Sequence, residues 1–175
     1  HIGLATYELA VKVGFDVTVI DDRFTFANKA RFPLAERVIC ESFEKCFDQI
    51  DINPSTFVVI CTRGHRHDHT CLSNVLKYNT AYTGMIGSKR RVKALREQLL
   101  AEGADKDKLA AVHAPIGLEI GAVTPQEIAV SIIAQVIACK RISPKKNEEG
   151  VPIRVKWADY DISVLEELVS GSERP

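Results

Sequence analysis

"TFVVICTRGHRHDHTCLSNVLKYN" (Thr56–Asn79) decides the fold. Phe57 to Cys61 is a continuous apolar run, the pattern of a short strand buried on both faces of a parallel sheet. The period then changes. "HDHTCLSNVLKYN" reads as a helix with Asp68 as its N-cap. A strand that ends in "TRGH" and runs directly into a helix is the repeating unit of an α/β protein.

The unit recurs in both directions. Upstream, "HIGLATYELAVKVG" gives a helical stripe of Leu4, Leu9, Ala10 and Val13, stopped by Gly14. "FDVTVIDD" follows as a strand from about Phe15 to Ile20, and "ERVIC" as a shorter one from Arg37 to Cys40. Downstream, "AYTGMIGS" is a strand ending in a Gly-rich turn. "SKRRVKALREQLLAEG" is a helix with Val92, Leu95, Leu99 and Leu100 on one face and Gly103 as its stop. "AAVHAPIG" is a further short strand running into a turn. "TPQEIAVSIIAQVIACKR" opens with a capping box: Thr124 as N-cap, Pro125 at the first helical position and Glu127 at the third. Its interior is apolar nearly all round, so it packs in the core or across a homodimer interface.

This alternation predicts a doubly wound, mostly parallel α/β sheet of the Rossmann-like kind over residues 1–141. A polar linker is expected at 142–150, then a C-terminal extension at 151–175 with a strand-like piece and a short helix. Such a fold opens with a central strand and a Gly-rich turn. The first strand and most of that turn are expected to be missing from the chain, with Gly3 as the turn's last glycine.

Composition narrows the function classes. The chain has 175 residues, 46% apolar and 26% charged, as expected of a globular domain with a real core. Lys+Arg and Asp+Glu balance at 23 each, so no global field draws it to nucleic acid or to an anionic membrane. No stretch approaches a membrane span and no secretion signal is evident, so a cytoplasmic location is expected. Five cysteines (Cys40, Cys46, Cys61, Cys71, Cys139) are scattered without a C-x-x-C pair and read as free, mostly buried thiols.

Ligands of doubly wound folds bind beyond the carboxyl ends of the strands, and each polar cluster here falls at such an end. Asp21 and Asp22 close one strand. They would bond ribose hydroxyls in a dinucleotide site, or form a solvated turn in which Asp22 pairs with Arg23. In "GMIGSKRR", Gly84 and Gly87 allow close backbone approach and Ser88 can cap a helix. Lys89, Arg90, Arg91 and Lys93 then crowd a helix start whose dipole repels cations. A phosphate-type anion would make that crowding favourable; otherwise the side chains simply extend into water. His113, Pro115 and Gly117 form a turn that either lines the same cleft or only satisfies a strand-end histidine.

"TRGHRHDH" (Thr62–His69) packs three of the chain's five histidines into five positions. His65, His67, Asp68 and His69 invite a metal reading. The spacing H-x-H-D-H is one residue shorter than the H-x-H-x-D-H of dinuclear metal hydrolases, which turns the later ligands to other faces, and zinc needs three or four convergent ligands. The favoured reading is a strand-end turn: the Thr62 hydroxyl, Arg63 and the Gly64 backbone face a ligand, with His65 and His67 as polar contacts and His69 outside.

The strings "VTVIDDR", "VVICTRGHRHD", "YTGMIGSKRRV" and "VHAPIGLEIGAVTPQEIAVSIIAQVIA" together resemble the C-terminal domain of the XdhC/CoxI family. These are accessory factors of xanthine dehydrogenase and related molybdenum hydroxylases. The resemblance runs in order from His1 to about Arg141. It implies a Rossmann-like chaperone that binds the molybdenum cofactor (molybdopterin), assists its sulfuration with a cysteine desulfurase, and inserts it into the hydroxylase. It implies that His1 and Gly3 end the family's glycine turn. It further implies that Asp21, Asp22, Arg23, Thr62, Arg63, Gly64, His65, His67, Asp68, Gly84, Gly87, Ser88, Arg90, His113, Pro115 and Gly117 fall in cofactor-binding motifs. No residue pair stands out as a hydride-transfer acid and base, so a binding role without turnover is favoured over catalysis. An NAD(P)-dependent oxidoreductase is the competing expectation, resting on the fold and the Asp21/Asp22 pair.

Overall fold

The computed structural model describes residues 1–142. The expected C-terminal extension, and all but the first residue of the expected linker, lie outside the described residues. In chain order the elements are α1 (Ile2–Lys12), β1 (Thr18–Asp21), β2 (Arg37–Cys40), a 3-10 turn (Cys46–Gln49) and β3 (Phe57–Ile60). They continue with α2 (His65–Val75), β4 (Tyr82–Met85), α3 (Lys89–Ala101), α4 (Lys106–Ala110) and α5 (Pro125–Arg141).

Among the described residues all strand pairing is parallel, as in a doubly wound fold. β1 pairs with β2 from Thr18 opposite Arg37 to Asp21 opposite Cys40. β3 pairs with β4 from Phe57 opposite Tyr82 to Ile60 opposite Met85. The two pairs are separate: among the described residues no ladder joins β1 to β3. The unpaired edges explain a departure from expectation. Phe57, Val58 and Val59 are half-buried and only Ile60 is fully enclosed, so β3 is not covered on all sides as its apolar run suggested.

Helices cover β3 and β4 from both faces. On one face Met85 and Ile60 meet Leu72 and Val75 of α2 and Val92, Leu95 and Leu99 of α3. On the other, Tyr82 meets Ile132 and Val136 of α5, with Ile2 and Phe15 at the margin. Each fully buried Leu, Ile or Met contributes roughly 1.5–3 kcal/mol. These two clusters hold the strand ends in place.

Several boundaries differ from expectation. β1 begins at Thr18 rather than Phe15. Phe15 instead packs edge-on against Phe57, with centroids 5.5 Å apart, beneath the Lys140 ammonium. In α1 the buried residues are Ala5, Thr6, Tyr7 and Ala10, while Val13 is exposed, because Tyr7 turns onto Phe32. Leu100 of α3 is also exposed, leaving Val92, Leu95 and Leu99 as the buried face. The strand expected in "AAVHAPIG" is a single bridge, Gly84 to His113. A cis Ala114–Pro115 peptide follows, and Pro115 has no N–H with which to continue a ladder.

The N-cap of α2 is Gly64, not Asp68. Gly64 stands at φ 87°, a left-handed conformation that favours glycine, and its carbonyl accepts the Asp68 N–H at 3.3 Å. Asp68 is thus a helix residue, and its side chain has other partners. The capping box of α5 forms as expected: Glu127 accepts from the Val123 and Thr124 N–H groups at 2.8 and 2.9 Å, and its own N–H reaches the Thr124 hydroxyl at 3.2 Å.

Candidate functional site: a strand-end anion cleft

Turns follow the carboxyl ends of the strands: Asp21–Arg23 after β1, Thr62–Gly64 after β3, and Ile86–Ser88 after β4, the first two linked by Asp22 and Arg63. α2 has no side-chain cap on its first turn. Its leading N–H groups are open to an acceptor, and the helix dipole favours a negative one. At Gly3 and Gly64 nothing lies within 4 Å of where a Cβ would sit.

Charge is sorted among these turns. Arg23 grips Asp21 with two parallel bonds, from Nε at 2.9 Å and Nη2 at 3.0 Å, and lies 3.5 Å over the Phe26 ring. Burial pushes the Asp21 carboxyl up, but the bonds and charge of Arg23 outweigh it and hold Asp21 below the usual carboxylate range. Within "DDR" Arg23 thus bonds Asp21, and its Nε also pairs with Asp22 at 3.9 Å, as the local turn reading expects. Asp22 faces Arg63 of the next turn at 3.7 Å. Arg63 is more than half exposed, so that pair is weak, about 0–1 kcal/mol, and Arg63 can exchange it for a ligand. Lys89 and Arg90 stand exposed on the first turn of α3. Ser88 spends its hydroxyl on that helix, accepting the Arg91 N–H at 3.3 Å.

Asp68 is 1% exposed. One of its oxygens accepts the Thr62 hydroxyl and the other pairs with the Arg91 guanidinium. Sequence reasoning misses Arg91 among the candidate binding residues. Its signal is its place as the third of three consecutive basic residues, of which a helix turns only some toward any one neighbour.

The remaining candidates divide. His67 turns its ring edge to Phe43, centroids 5.2 Å apart, and His69 bonds Glu102 at 2.6 Å, so His65, His67 and His69 do not converge. Among the described residues no three of His, Cys, Asp and Glu are placed to hold a metal ion. His113 stacks on Tyr82 at 4.8 Å, and burial lowers its imidazole pKa. The space a Gly84 side chain would need is filled by Ile116 and Tyr82, both at 2.5 Å from its Cβ position. Gly117, at φ 98°, is packed against Ser131, and Gln135 bonds both its N–H and its carbonyl. Gly87 lies 3.3 Å, by its Cβ position, from Val92. Pro115 lines a shallow groove of about 260 Å³ along α3, with Lys89, Val92, Lys93 and Arg96 but none of the other strand-end turns.

Cys40, Cys46, Cys61 and Cys71 are free thiols, and the Cys139 sulfur lies 3.8 Å from His113 Nε2. Cys46 and Cys71 are buried, and burial pushes their thiols to about 11 and about 12. Cys61 is also pushed up to about 12 by burial. None of these three is a ready nucleophile.

Fold and site together define a Rossmann-like α/β domain with basic and glycine-containing turns at its strand ends. The description "XdhC Rossmann domain" matches residues 1–136, and the chain belongs to that family. It is 34% identical over 145 residues to an uncharacterized protein, YqeB, of Escherichia coli K12, covering 82% of this chain and 26% of the relative. It is 32% identical over 133 residues to a protein of Bacillus subtilis described as a probable xanthine dehydrogenase subunit, covering 76% of this chain and 38% of the relative. A crystal structure described as a xanthine dehydrogenase from Bacillus halodurans superposes with a TM-score of 0.69 at 33% identity, over 80% of this chain and 41% of that one. The chain thus spans between about a quarter and two-fifths of the proteins it matches.

Proposed function

We propose that this chain binds the molybdenum cofactor as cargo and assists its sulfuration and insertion into a xanthine dehydrogenase-type hydroxylase, with a cysteine desulfurase as sulfur donor. The observation that carries the reading is the uncapped start of α2 beside Arg63, tied through the Asp68–Arg91 pair to the start of α3, where Lys89 and Arg90 stand exposed. Molybdopterin ends in a phosphate, or in a pyrophosphate in its nucleotide form. Free backbone N–H groups, a guanidinium and an ammonium are the donors such groups require. The open space at Gly64 leaves room for a phosphate oxygen against the first turn of α2. The residues present therefore fit the cargo's anionic end.

Once in a hydroxylase, the cofactor supplies the molybdenum centre at which substrate is oxidised. This chain's part is to hold and release. Arg63 leaves its weak pair with Asp22 for the phosphate, the α2 start donates N–H groups, and Lys89 and Arg90 add charge from α3. The family relation supports a place in xanthine dehydrogenase maturation.

The test is activation of purified apo-hydroxylase by molybdenum cofactor with and without the full-length protein. The expected result is a higher yield of active enzyme, lost in the Arg63→Glu/Arg90→Glu variant. An unchanged yield with wild-type protein defeats the reading. The dinucleotide alternative is weakened because Arg23 already occupies the Asp21 carboxylate, leaving Asp22 as the sole acidic contact for a ribose. Calorimetric titration with NAD(H) and NADP(H) decides it, since measurable saturable binding would restore it.

A further inference from the structure

We propose that Thr62, Asp68 and Arg91 form an internal strut that sets the start of α2 against the start of α3, so that both turns address one anion while none of the three touches it. The inference rests on the cleft reading above and gives it a mechanism of pre-organisation.

The two carboxylate oxygens of Asp68 serve two different elements. One takes the hydroxyl of Thr62, in the turn that leads into α2. The other forms an ion pair, without hydrogen-bond geometry, with the guanidinium of Arg91 on the first turn of α3. Asp68 is 1% exposed and the Arg91 side chain 25% exposed, so the hydrogen bond and the ion pair sit in a poorly screened setting. A carboxylate buried this deeply is tolerated only with such partners, which makes the spacing of the two turns strongly determined.

Helix geometry explains the division of labour in "KRR". Successive residues are about 100° apart around the axis. With Arg91 turned toward α2, Lys89 and Arg90 must point elsewhere, and both are exposed. Asp68 thus neutralises one cation of the three and leaves two for the ligand. His65 precedes Asp68 by three positions, so the same anchored turn also fixes where His65 stands at the mouth.

The sign of one substitution separates the strut from its rival, in which Arg91 binds the anion directly and Asp68 is only a neighbour. Removing a negative charge near an anion site should strengthen binding on electrostatic grounds. The strut requires the opposite. Pyrophosphate is titrated into the full-length protein by calorimetry, and amide NMR shifts are followed at Gly64, Gly87 and Ser88. For the strut, Asp68→Asn and Arg91→Met each weaken pyrophosphate binding by roughly tenfold, the size typical of losing a group that orients a binding residue. The double variant is no worse than either single one. Asp68→Asn moves the Gly87 and Ser88 amides, and Arg91→Met moves that of Gly64.

Tighter binding in Asp68→Asn, or additive losses with a reduced salt dependence in Arg91→Met, overturns the strut. If Arg91→Met does not fold, Thr62→Val and Thr62→Ser replace it: Val should weaken binding and Ser restore it, and equal behaviour of the two contradicts the proposal. Failure of wild-type protein to bind pyrophosphate tells against the cleft reading itself. The cross-element amide shifts still judge the strut, and their absence overturns it.

Discussion

Asp21 shows how one partner settles between two uses of a strand end. The sequence leaves it open as a ribose ligand or as part of a turn, and the bidentate grip of Arg23 commits it to the turn. The linkage follows from its lowered pKa. A carboxylate depressed in the folded state contributes stability above the unfolded value, about 3.9, and loses it as pH falls through the lower folded value. Arg23→Gln should therefore cost about 0.5–1 kcal/mol at neutral pH. By urea denaturation the gap to wild type should close below about pH 4. A constant gap down to pH 2 would contradict the assignment. Gly84 is a second residue-scale case, expected from sequence to admit a ligand and found packed by Ile116 and Tyr82. Gly84→Ala should destabilise the fold by about 1–3 kcal/mol through overpacking, without direct effect on anion affinity; denaturant midpoints and a pyrophosphate titration check the two halves of that expectation. Such reversals are invisible in sequence because a glycine near a turn looks the same whether ligand or protein fills its empty side.

At the scale of elements, the strand-and-helix order is legible because apolar periodicity and caps are local signals. The capping box of α5 and the stops at Gly14 and Gly103, both at positive φ, stand where the sequence puts them for that reason. The cap of α2 lies four residues before the expected one, because Asp is a common cap and Gly64 offers no side-chain signal. The His113 turn is half legible: its glycine and proline mark a turn, but the stack on Tyr82 depends on α5 packing from another part of the chain. This element carries its own pH dependence. Burial lowers the His113 pKa below the ordinary histidine value, so the unfolded chain binds a proton more readily than the folded one. Stability should be full above about pH 6.5 and fall as pH drops from there through the folded pKa. His113→Gln should flatten that segment of the stability profile, measured by denaturant midpoints between about pH 7.5 and 5; an unchanged slope would count against it.

At the scale of the whole molecule, the doubly wound class is legible and its sheet is not. Parallel pairing of β1 with β2 and of β3 with β4 bears out the α/β reading, and the family match supports it independently. That the strands form two separate pairs depends on which edges find partners, a long-range property that no local pattern encodes. The site follows the same rule. Local pattern puts Arg63, Gly64, Lys89 and Arg90 at strand ends, and geometry adds that Asp68 and Arg91 form an ion pair there. No described helix is long and apolar enough to cross a membrane. The most direct test is retention of molybdopterin by the full-length protein through gel filtration, read by pterin fluorescence, for wild type and for Arg63→Glu/Arg90→Glu. The expected result is near-stoichiometric retention by wild type and its loss in the variant, with the fold of both intact by circular dichroism. No retention by wild type, or equal retention by the two, would contradict the strand-end cleft as the cofactor site.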